Sequence, residues 1–318
     1  MRNFIFAIDD NNDFVRNIHE NYDGDNLEIG SVVMEVFSDG EISPNFKHSI
    51  RGSRVFLVCS GTRPDSILRQ CLAMDAARRA SASEVVLVTP FFGYSRQDRK
   101  DGKRGAVGAK LMMNLYEAAG AHRILTVDLH ADQIEGFTDL AIDHISGTRV
   151  FGDTLVKMIR NGELSNVTVV SPDAGGVKRS MKLSKKLRNS GCDVQDAIMS
   201  KHRDKPNSIE SMTLIGDVSG RDVIIVDDMI DTAGTLKKAA ETLKSHGANK
   251  IIAVAAHGVL SGKAFANIDD SPLTSVIVSD TIEKEIRSDK VRVVSCAYSV
   301  ARFIKSINSS VSPLESTI

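Results

Sequence analysis

The stretch Val223-Ile-Ile-Val-Asp-Asp-Met-Ile-Asp-Thr-Ala-Gly-Thr235 decides the fold. Its opening run of β-branched side chains suits a strand buried on both faces. Acidic and hydroxyl residues then read as a loop, and Leu236, Ala239, Ala240 and Leu243 recur at helical spacing up to Gly247, where a C-terminal cap belongs. In an open parallel sheet ligands bind at the carboxyl ends of strands, and such a loop delivers the chain to a helix N-terminus whose free N–H groups favour a phosphate. Thr232 and Thr235 offer hydroxyl donors, and Gly234 lets the backbone approach an anion closely. Asp227 and Asp228 would repel that anion unless they had another task, and a vicinal pair of ribose hydroxyls supplies one. Asp231 is placed to cap the helix. The stretch reads as a cradle for a ribose 5-phosphate. For a bare Asp-Thr-x-Gly-Thr, an acidic strand end followed by an ordinary cap is an equal reading.

Similar apolar runs flank it: Val55 to Val58, Val85 to Val88, Ile124 to Val127, Val167 to Val170 and Ile251 to Ala256. They are rich in Val and Ile, do not alternate with polar residues, and stand far enough apart for crossover helices. One such helix is expected from Val107, Leu111, Met112 and Leu115, closed by Gly120. The segment Arg51-Gly-Ser-Arg-Val-Phe-Leu-Val58 resembles Ser219-Gly-Arg-Asp-Val-Ile-Ile-Val226, an internal duplication. The expected fold is α/β: two similar doubly wound domains with parallel sheets, related by duplication. The boundary is placed in Ser146-Gly147-Thr148, giving domains 1–147 and 148–318, with the Ser-rich tail from Ser306 free to pack on either half.

Composition narrows the class. The chain has 318 residues, 40 Lys plus Arg against 41 Asp plus Glu, and a formal net charge of -1. That balance argues against a surface devoted to nucleic acid, so phosphate binding is local. The four cysteines, Cys59, Cys71, Cys192 and Cys296, lack Cys-x-x-Cys spacing, and a reducing cytoplasm fits them. Met1 to Ile8 is too short for a secretory core, and no apolar run approaches the roughly 18 residues of a membrane helix. The expectation is a cytoplasmic protein that binds neither membrane nor nucleic acid.

Four other stretches sharpen the chemistry. Thr126-Val-Asp-Leu-His-Ala-Asp-Gln133 and Val170-Ser-Pro-Asp-Ala-Gly-Gly-Val177 each follow a strand. Gly93-Tyr-Ser-Arg-Gln-Asp-Arg-Lys-Asp-Gly-Lys-Arg104 packs five cations into a glycine-flanked loop, and Phe37-Ser-Asp-Gly-Glu41 sets an aromatic beside two acids. Taken singly, His130 reads as a core histidine, Phe37 as a core aromatic and the cationic loop as a solvated face. The loop at 227–235 resembles the phosphoribosyl-diphosphate loop of the type I phosphoribosyltransferase fold. Together the five motifs resemble the ribose-phosphate diphosphokinase family over nearly the whole chain, and the Asp-Leu-His-Ala and Ser-Pro-Asp-Ala-Gly-Gly pair sets it apart from nucleobase phosphoribosyltransferases.

The resemblance implies an enzyme of nucleotide biosynthesis that transfers diphosphate from Mg-ATP to ribose 5-phosphate, giving phosphoribosyl diphosphate and AMP. It implies that Asp231, Thr232, Ala233, Gly234 and Thr235 hold the 5-phosphate while Asp227 and Asp228 hold the ribose. Phe37, Asp39, Glu41, Arg96 and Gln97 would form the ATP site in the first domain. His130 and Asp173 match magnesium positions. Lys201 and Arg203 would stabilise the transferring group, Arg203 also touching ribose 5-phosphate, and Lys100, Lys103 and Arg104 belong to a mobile loop that closes over triphosphate. The family is generally a homohexamer, activated by phosphate and inhibited by ADP at a shared site that Ser49 and Arg51 resemble. Two departures stand out: Thr62 to Leu72 lacks the family's Met-Glu-Leu-Leu run, and Pro313 and Glu315 replace aromatic residues in the tail. The alternatives weighed are a nucleobase phosphoribosyltransferase and a catalytically silent regulatory paralogue.

Overall fold

Each of the apolar runs named above forms a parallel strand, because a strand covered by helices on both faces buries the side chains it carries. The structure, a computed structural model, describes residues 2–9, 12–100, 102, 104–202 and 211–309, except the side chains of Lys201, His202 and Ser211. By its own contacts the chain divides into two units, Met1–Ser146 with the segment from Cys296 onward, and Gly147–Ser295.

The first unit contains β1 (Asn3–Ala7), α1 (Asn12–Glu20), β2 (Leu27–Ile29), β3 (Val32–Val36), β4 (Ile42–Phe46), β5 (Arg54–Val58), α2 (Pro64–Arg79) and β6 (Glu84–Thr89). It continues through α3 (Gly108–Ala119), β7 (Arg123–Val127), a 3-10 turn over Asp132–Phe137, and β8 (Ala141–Ile145). The second unit contains α4 (Gly147–Arg160), β9 (Val167–Ser171), α5 (Val177–Asn189), β10 (Val194–His202), β11 (Ser211–Ile215), β12 (Asp222–Ile230) and α6 (Gly234–Ser245). β13 (Ile251–Gly258), α7 (Ala264–Asp269), β14 (Ser275–Ser279) and β15 (Val291–Val294) complete it, and α8 (Ala297–Asn308) returns to the first unit. The expected second domain ran on to residue 318. α8 instead buries Val300, Ala301, Phe303 and Ile304, packs on α1 and β8, and is tied by Arg54 Nη1 donating to the Ile307 carbonyl at 2.9 Å.

The first unit's main sheet has the order β2-β1-β5-β6-β7-β8, all parallel. The second has β11-β10-β9-β12-β13-β14-β15, antiparallel only at β10–β11. In each, strand order reverses once, at β1/β5 and at β9/β12. A crevice opens at such a reversal, where helices leave to opposite faces.

The duplication reaches atomic detail at the amino ends of β5 and β12. Gly52 and Gly220 both have φ +67°, and each lies in a turn closed by Ser53 N–H to Ile50 C=O or Arg221 N–H to Val218 C=O, both 3.1 Å. Gly52 N–H donates to Ser81 C=O at 2.8 Å and Gly220 N–H to Gly247 C=O at 2.9 Å. Ser81 (φ +63°) and Gly247 (φ +85°) are left-handed residues closing α2 and α6. Only glycine adopts that region without Cβ crowding, so Ser81 carries strain that Gly247 avoids.

Each unit has its own core. In α6 the expected stripe of Leu236, Ala239, Ala240 and Leu243 is buried. In α3 the buried face is instead Ala109, Met112, Met113 and Tyr116, while Leu111 and Leu115 are 49% and 40% exposed. Both sets obey helical spacing, so periodicity alone did not choose between them. Among the described residues no helix is long and apolar enough to cross a membrane.

Candidate active site

β12 runs further than its apolar stretch, so Asp227 and Asp228 belong to the strand, with Asp227 in register with Ala255 and Met229 with His257 on β13. Alternation along a strand sends the two side chains to opposite faces at their origin. Asp228 is buried and Asp227 half-buried. Arg179 Nη1 stands 3.8 Å from Asp227 Oδ1 and 3.6 Å from Asp228 Oδ1, and Asp228 N–H donates to Asp227 Oδ1 at 2.9 Å. Loss of solvent around Asp227, followed by the charge of Asp228, holds its carboxyl well above the usual carboxylate range, with Arg179 pulling the other way. The site is thus two carboxyls that resist joint ionisation until a partner arrives to donate hydrogen bonds to them.

The chain then turns through Asp231 and Thr232 to Ala233, whose φ of +59° is left-handed, before Gly234 opens α6. A non-glycine residue held there costs about 1–2 kcal/mol and marks a loop that its surroundings over-determine. Those surroundings are the β13–α7 segment. Leu260 N–H donates to Ile230 C=O and Ser261 N–H to Asp231 C=O, each 3.0 Å, and Asn267 Nδ2 donates to Thr232 C=O at 2.8 Å. Asp231 is not the helix cap expected from its position: its carboxylate accepts the Ser261 hydroxyl, and the N-cap position of α6 falls on Ala233, which makes no side-chain cap. Thr232 and Thr235 are exposed beside the helix N-terminus, and a Cβ at Gly234 would meet only Thr232 Oγ1, at 3.9 Å. The open side of the loop presents backbone and hydroxyls, as an anion requires.

β9 and β12 are adjacent, which brings the second motif alongside. After β9, Ser171 Oγ donates to Asp173 C=O at 2.7 Å and Gly176 N–H to Asp173 Oδ1 at 2.9 Å. A Cβ at Gly176 would sit 2.8 Å from Ser171 Oγ, so the turn is too tight for a side chain. Asp173 itself is exposed. The turn launches α5, whose first turn carries Arg179 to the carboxylates. Sequence reasoning missed Arg179; the signal was a cation three residues past the second glycine of the motif, one helical turn into the next element. On the other side of β9, Lys201 lies on β10 in register with Met212 of β11. Arg203 lies outside the described residues. The carboxyl ends of β10, β9, β12 and β13 therefore carry Lys201, Asp173, the Asp227–Asp228 pair and Ser261 in spatial order.

In the first unit, Phe37, Asp39 and Glu41 form the tip of the β3–β4 hairpin. Phe37 N–H donates to Glu41 C=O at 2.8 Å, Gly40 turns at φ +92°, and Glu41 N–H donates to Asp39 Oδ1 at 3.0 Å. Phe37 is 51% exposed, so it is no core aromatic. Arg96 and Gln97 follow β6 through Tyr94, left-handed at φ +63°, and both are exposed. Gln97 packs on the start of α3, where a Cβ at Gly108 would fall 2.6 Å from its Oε1. Lys100 and Arg104 are exposed farther along this loop, and Lys103 lies outside the described residues.

His130 follows β7 and is exposed rather than packed in the core. Its loop begins at Asp128, buried at φ +40°, and is steadied by Leu129 N–H donating to His144 Nε2 at 2.9 Å, with His144 Nδ1 2.7 Å from Glu135. Among the described residues no group of three or more His, Cys, Asp or Glu side chains is placed to hold a metal ion by itself. The cysteines are free, with Cys59, Cys192 and Cys296 buried and Cys71 half-buried.

Residues 3–120 match the family model described as the N-terminal domain of ribose phosphate pyrophosphokinase, and residues 166–314 match the phosphoribosyl synthetase-associated domain. The ribose-phosphate pyrophosphokinase of Wolinella succinogenes is 43% identical over 293 residues, 91% of this chain and 92% of that protein. That of Campylobacter jejuni is 40% identical over 98% of both. The crystal structure of phosphoribosylpyrophosphate synthetase from Mycobacterium smegmatis superposes with a TM-score of 0.87 at 30% identity, covering 98% of this chain and 100% of that one. These likenesses bear out the expected fold and favour neither alternative activity. The chain belongs to the ribose-phosphate pyrophosphokinase family.

Proposed function

We propose that this chain transfers the β,γ-diphosphate of ATP to the anomeric hydroxyl of ribose 5-phosphate, giving phosphoribosyl diphosphate and AMP. The observation that carries this reading is the Asp227–Asp228 pair under Arg179, one loop away from the N-terminus of α6. Phosphate on the Asp231–Thr235 loop and ribose hydroxyls on the two acids describe the two ends of one substrate. Hydroxyl protons shared with Asp227 and Asp228 relieve the repulsion between the carboxylates, so the sugar is the partner that this pair favours.

In the reaction the anomeric oxygen attacks the β-phosphorus, the bond from that phosphorus to the α–β bridging oxygen breaks, AMP departs, and the hydroxyl proton passes to solvent. Such transfer needs positioning and charge neutralisation more than a strong base. Lys201 and Arg203 are assigned to charge stabilisation, Arg203 also to ribose 5-phosphate. Phe37 stacks on adenine while Asp39 and Glu41 read its edge, and Arg96 and Gln97 complete the nucleotide site. Lys100, Lys103 and Arg104 close over the triphosphate and exclude water.

Magnesium, when bound, would neutralise phosphate oxygens and align them. The donor set fits such use: Asp173 is exposed, His130 suits a contact through water, and a hard ion of this kind takes few protein ligands and several substrate oxygens. Assembly as a cytoplasmic homohexamer regulated by phosphate and ADP is supported by the family resemblance, with Ser49 and Arg51 both exposed. Pro313 and Glu315 of the altered tail lie outside the described residues.

Purified protein with magnesium, ATP and ribose 5-phosphate is expected to form AMP and phosphoribosyl diphosphate in equal amounts without any nucleobase. With phosphoribosyl diphosphate supplied in place of ATP and ribose 5-phosphate, pyrophosphate release that requires a base would instead identify a phosphoribosyltransferase, and no turnover under any condition a silent paralogue.

A further inference from the structure

A buried polar chain under the β5 and β6 loops has no role in the reading above. Tyr116 of α3 donates its hydroxyl to Gln70 Oε1 at 2.6 Å. Gln70 of α2 donates through Nε2 to Cys59 C=O at 2.6 Å and to Thr89 Oγ1 at 3.2 Å, and Thr89 donates in turn to Phe91 C=O at 3.0 Å. Gln70, Thr89 and Tyr116 are all fully buried. The donors run one way from phenol to carbonyl, and both amide hydrogens of Gln70 are used. Burial keeps the Tyr116 hydroxyl well above its ordinary pKa, so it remains a donor throughout the working range.

This chain ends on a rigid piece of backbone. Gly61 N–H donates to the same Phe91 carbonyl at 2.9 Å, and Phe91 N–H donates to Ser60 Oγ at 3.3 Å. Gly61 and Gly93 approach so closely that a Cβ at Gly93 would lie 2.1 Å from Gly61 O. Beyond them Tyr94 turns left-handed, Gln97 N–H bonds Tyr94 C=O at 2.9 Å, and Ala109 N–H bonds Gln97 C=O at 3.2 Å. The segment from Phe91 to Gln97 is thus held at both ends, and Arg96 stands within it.

An apolar pair would fill the same volume without a desolvation cost, so the polar atoms serve direction rather than burial. We infer that Gln70, Thr89 and Tyr116 are positioning residues that fix the Phe91–Gln97 segment, so that Arg96 and Gln97 meet the nucleotide phosphates in a preset geometry. The inference rests on reading Arg96 and Gln97 as nucleotide contacts.

Steady-state kinetics with ATP and ribose 5-phosphate test it. Tyr116→Phe and Thr89→Val are each expected to raise KM for ATP about fivefold to twentyfold, as loss of one buried directional bond permits. KM for ribose 5-phosphate is expected to stay within about twofold. The double variant Gln70→Leu with Tyr116→Phe removes the phenol and the amide together, leaving the Cys59 carbonyl and Thr89 Oγ1 without the amide donor, and should regain thermal stability relative to Gln70→Leu alone while KM for ATP stays raised. In an Arg96→Ala background, Tyr116→Phe should add little to KM. Recovery of both stability and KM in the double variant, or folded single variants with normal KM for ATP, would overturn the inference. Arg96→Ala with unchanged KM for ATP would overturn the underlying nucleotide assignment. If Tyr116→Phe fails to fold, Thr89→Val and the double variant decide the question.

Discussion

Arg179 Nη1 lies 3.6 Å from Asp228 Oδ1, close enough to share its charge with the neighbouring Asp227 carboxyl at 3.8 Å. The guanidinium is 17% exposed and Asp228 only 4%, so solvent does little of the screening. Arg179→Met is expected to lower stability by about 1–3 kcal/mol at pH 7.5. The loss should shrink toward pH 5, because protonation of Asp227 removes the repulsion that Arg179 offsets. Thermal unfolding at both pH values checks this, and an equal loss at each would contradict it.

Asp227 supplies the complementary test. A carboxyl whose folded pKa lies above its unfolded value binds its proton more tightly in the fold, so its contribution is greatest below the unfolded pKa and is lost as pH rises through the folded one. Asp227→Asn should therefore raise Tm relative to the parent near pH 7.5, with the difference fading toward pH 4. The same variant should raise KM for ribose 5-phosphate at least about tenfold, as a charge-assisted hydrogen bond is replaced by a weaker one.

Phe37 is half in solvent at a hairpin tip, so its removal opens no core cavity. Phe37→Ala should raise KM for ATP about threefold to tenfold by losing a stacking partner. Thermal unfolding should be unchanged to within about 1 °C. A large drop in Tm would assign the ring to packing.

The twin turns offer a stability experiment independent of chemistry. Gly247→Ala forces a Cβ into the left-handed region, 3.2 Å from Ser219 Oγ, and should cost about 1–2 kcal/mol. At the equivalent position, Ser81→Gly relieves strain and should be neutral or stabilising by up to about 1 kcal/mol. Thermal unfolding of both variants compares the two halves directly.

Lys201→Ala should lower kcat about a hundredfold to a thousandfold with the protein still folded, as removal of one preorganised charge from a developing transition state would do. Near-normal turnover would remove Lys201 from the mechanism.

The strands were legible because apolar runs rich in Val and Ile at 55–58, 85–88, 124–127, 167–170, 223–226 and 251–256 report directly on two-sided burial, and each lies within an observed strand. The duplication was legible for a related reason: a glycine two residues before β5 and β12 is required by the turn that enters each strand. The carboxyl-end motifs were also visible, since aspartates, threonines and glycines after an apolar run have few structural uses in common. Less was legible in α3, where Leu111 and Met112 are equally apolar and only contact with the sheet separates them. Asp231 looked like a cap because capping is a local rule, and Ser261, which claims it, is remote along the chain.

The amino-acid sequence by itself determined which segments are strands and which loops gather acidic, hydroxyl and glycine residues at their carboxyl ends, because both follow from neighbours a few residues apart. Strand order was decided only by the tertiary structure: β9 beside β12 brings Arg179 to Asp227 and Asp228, and α8 returns to the first unit. Those relations depend on which buried faces fit one another across the sheet, and no local period in the chain encodes that fit.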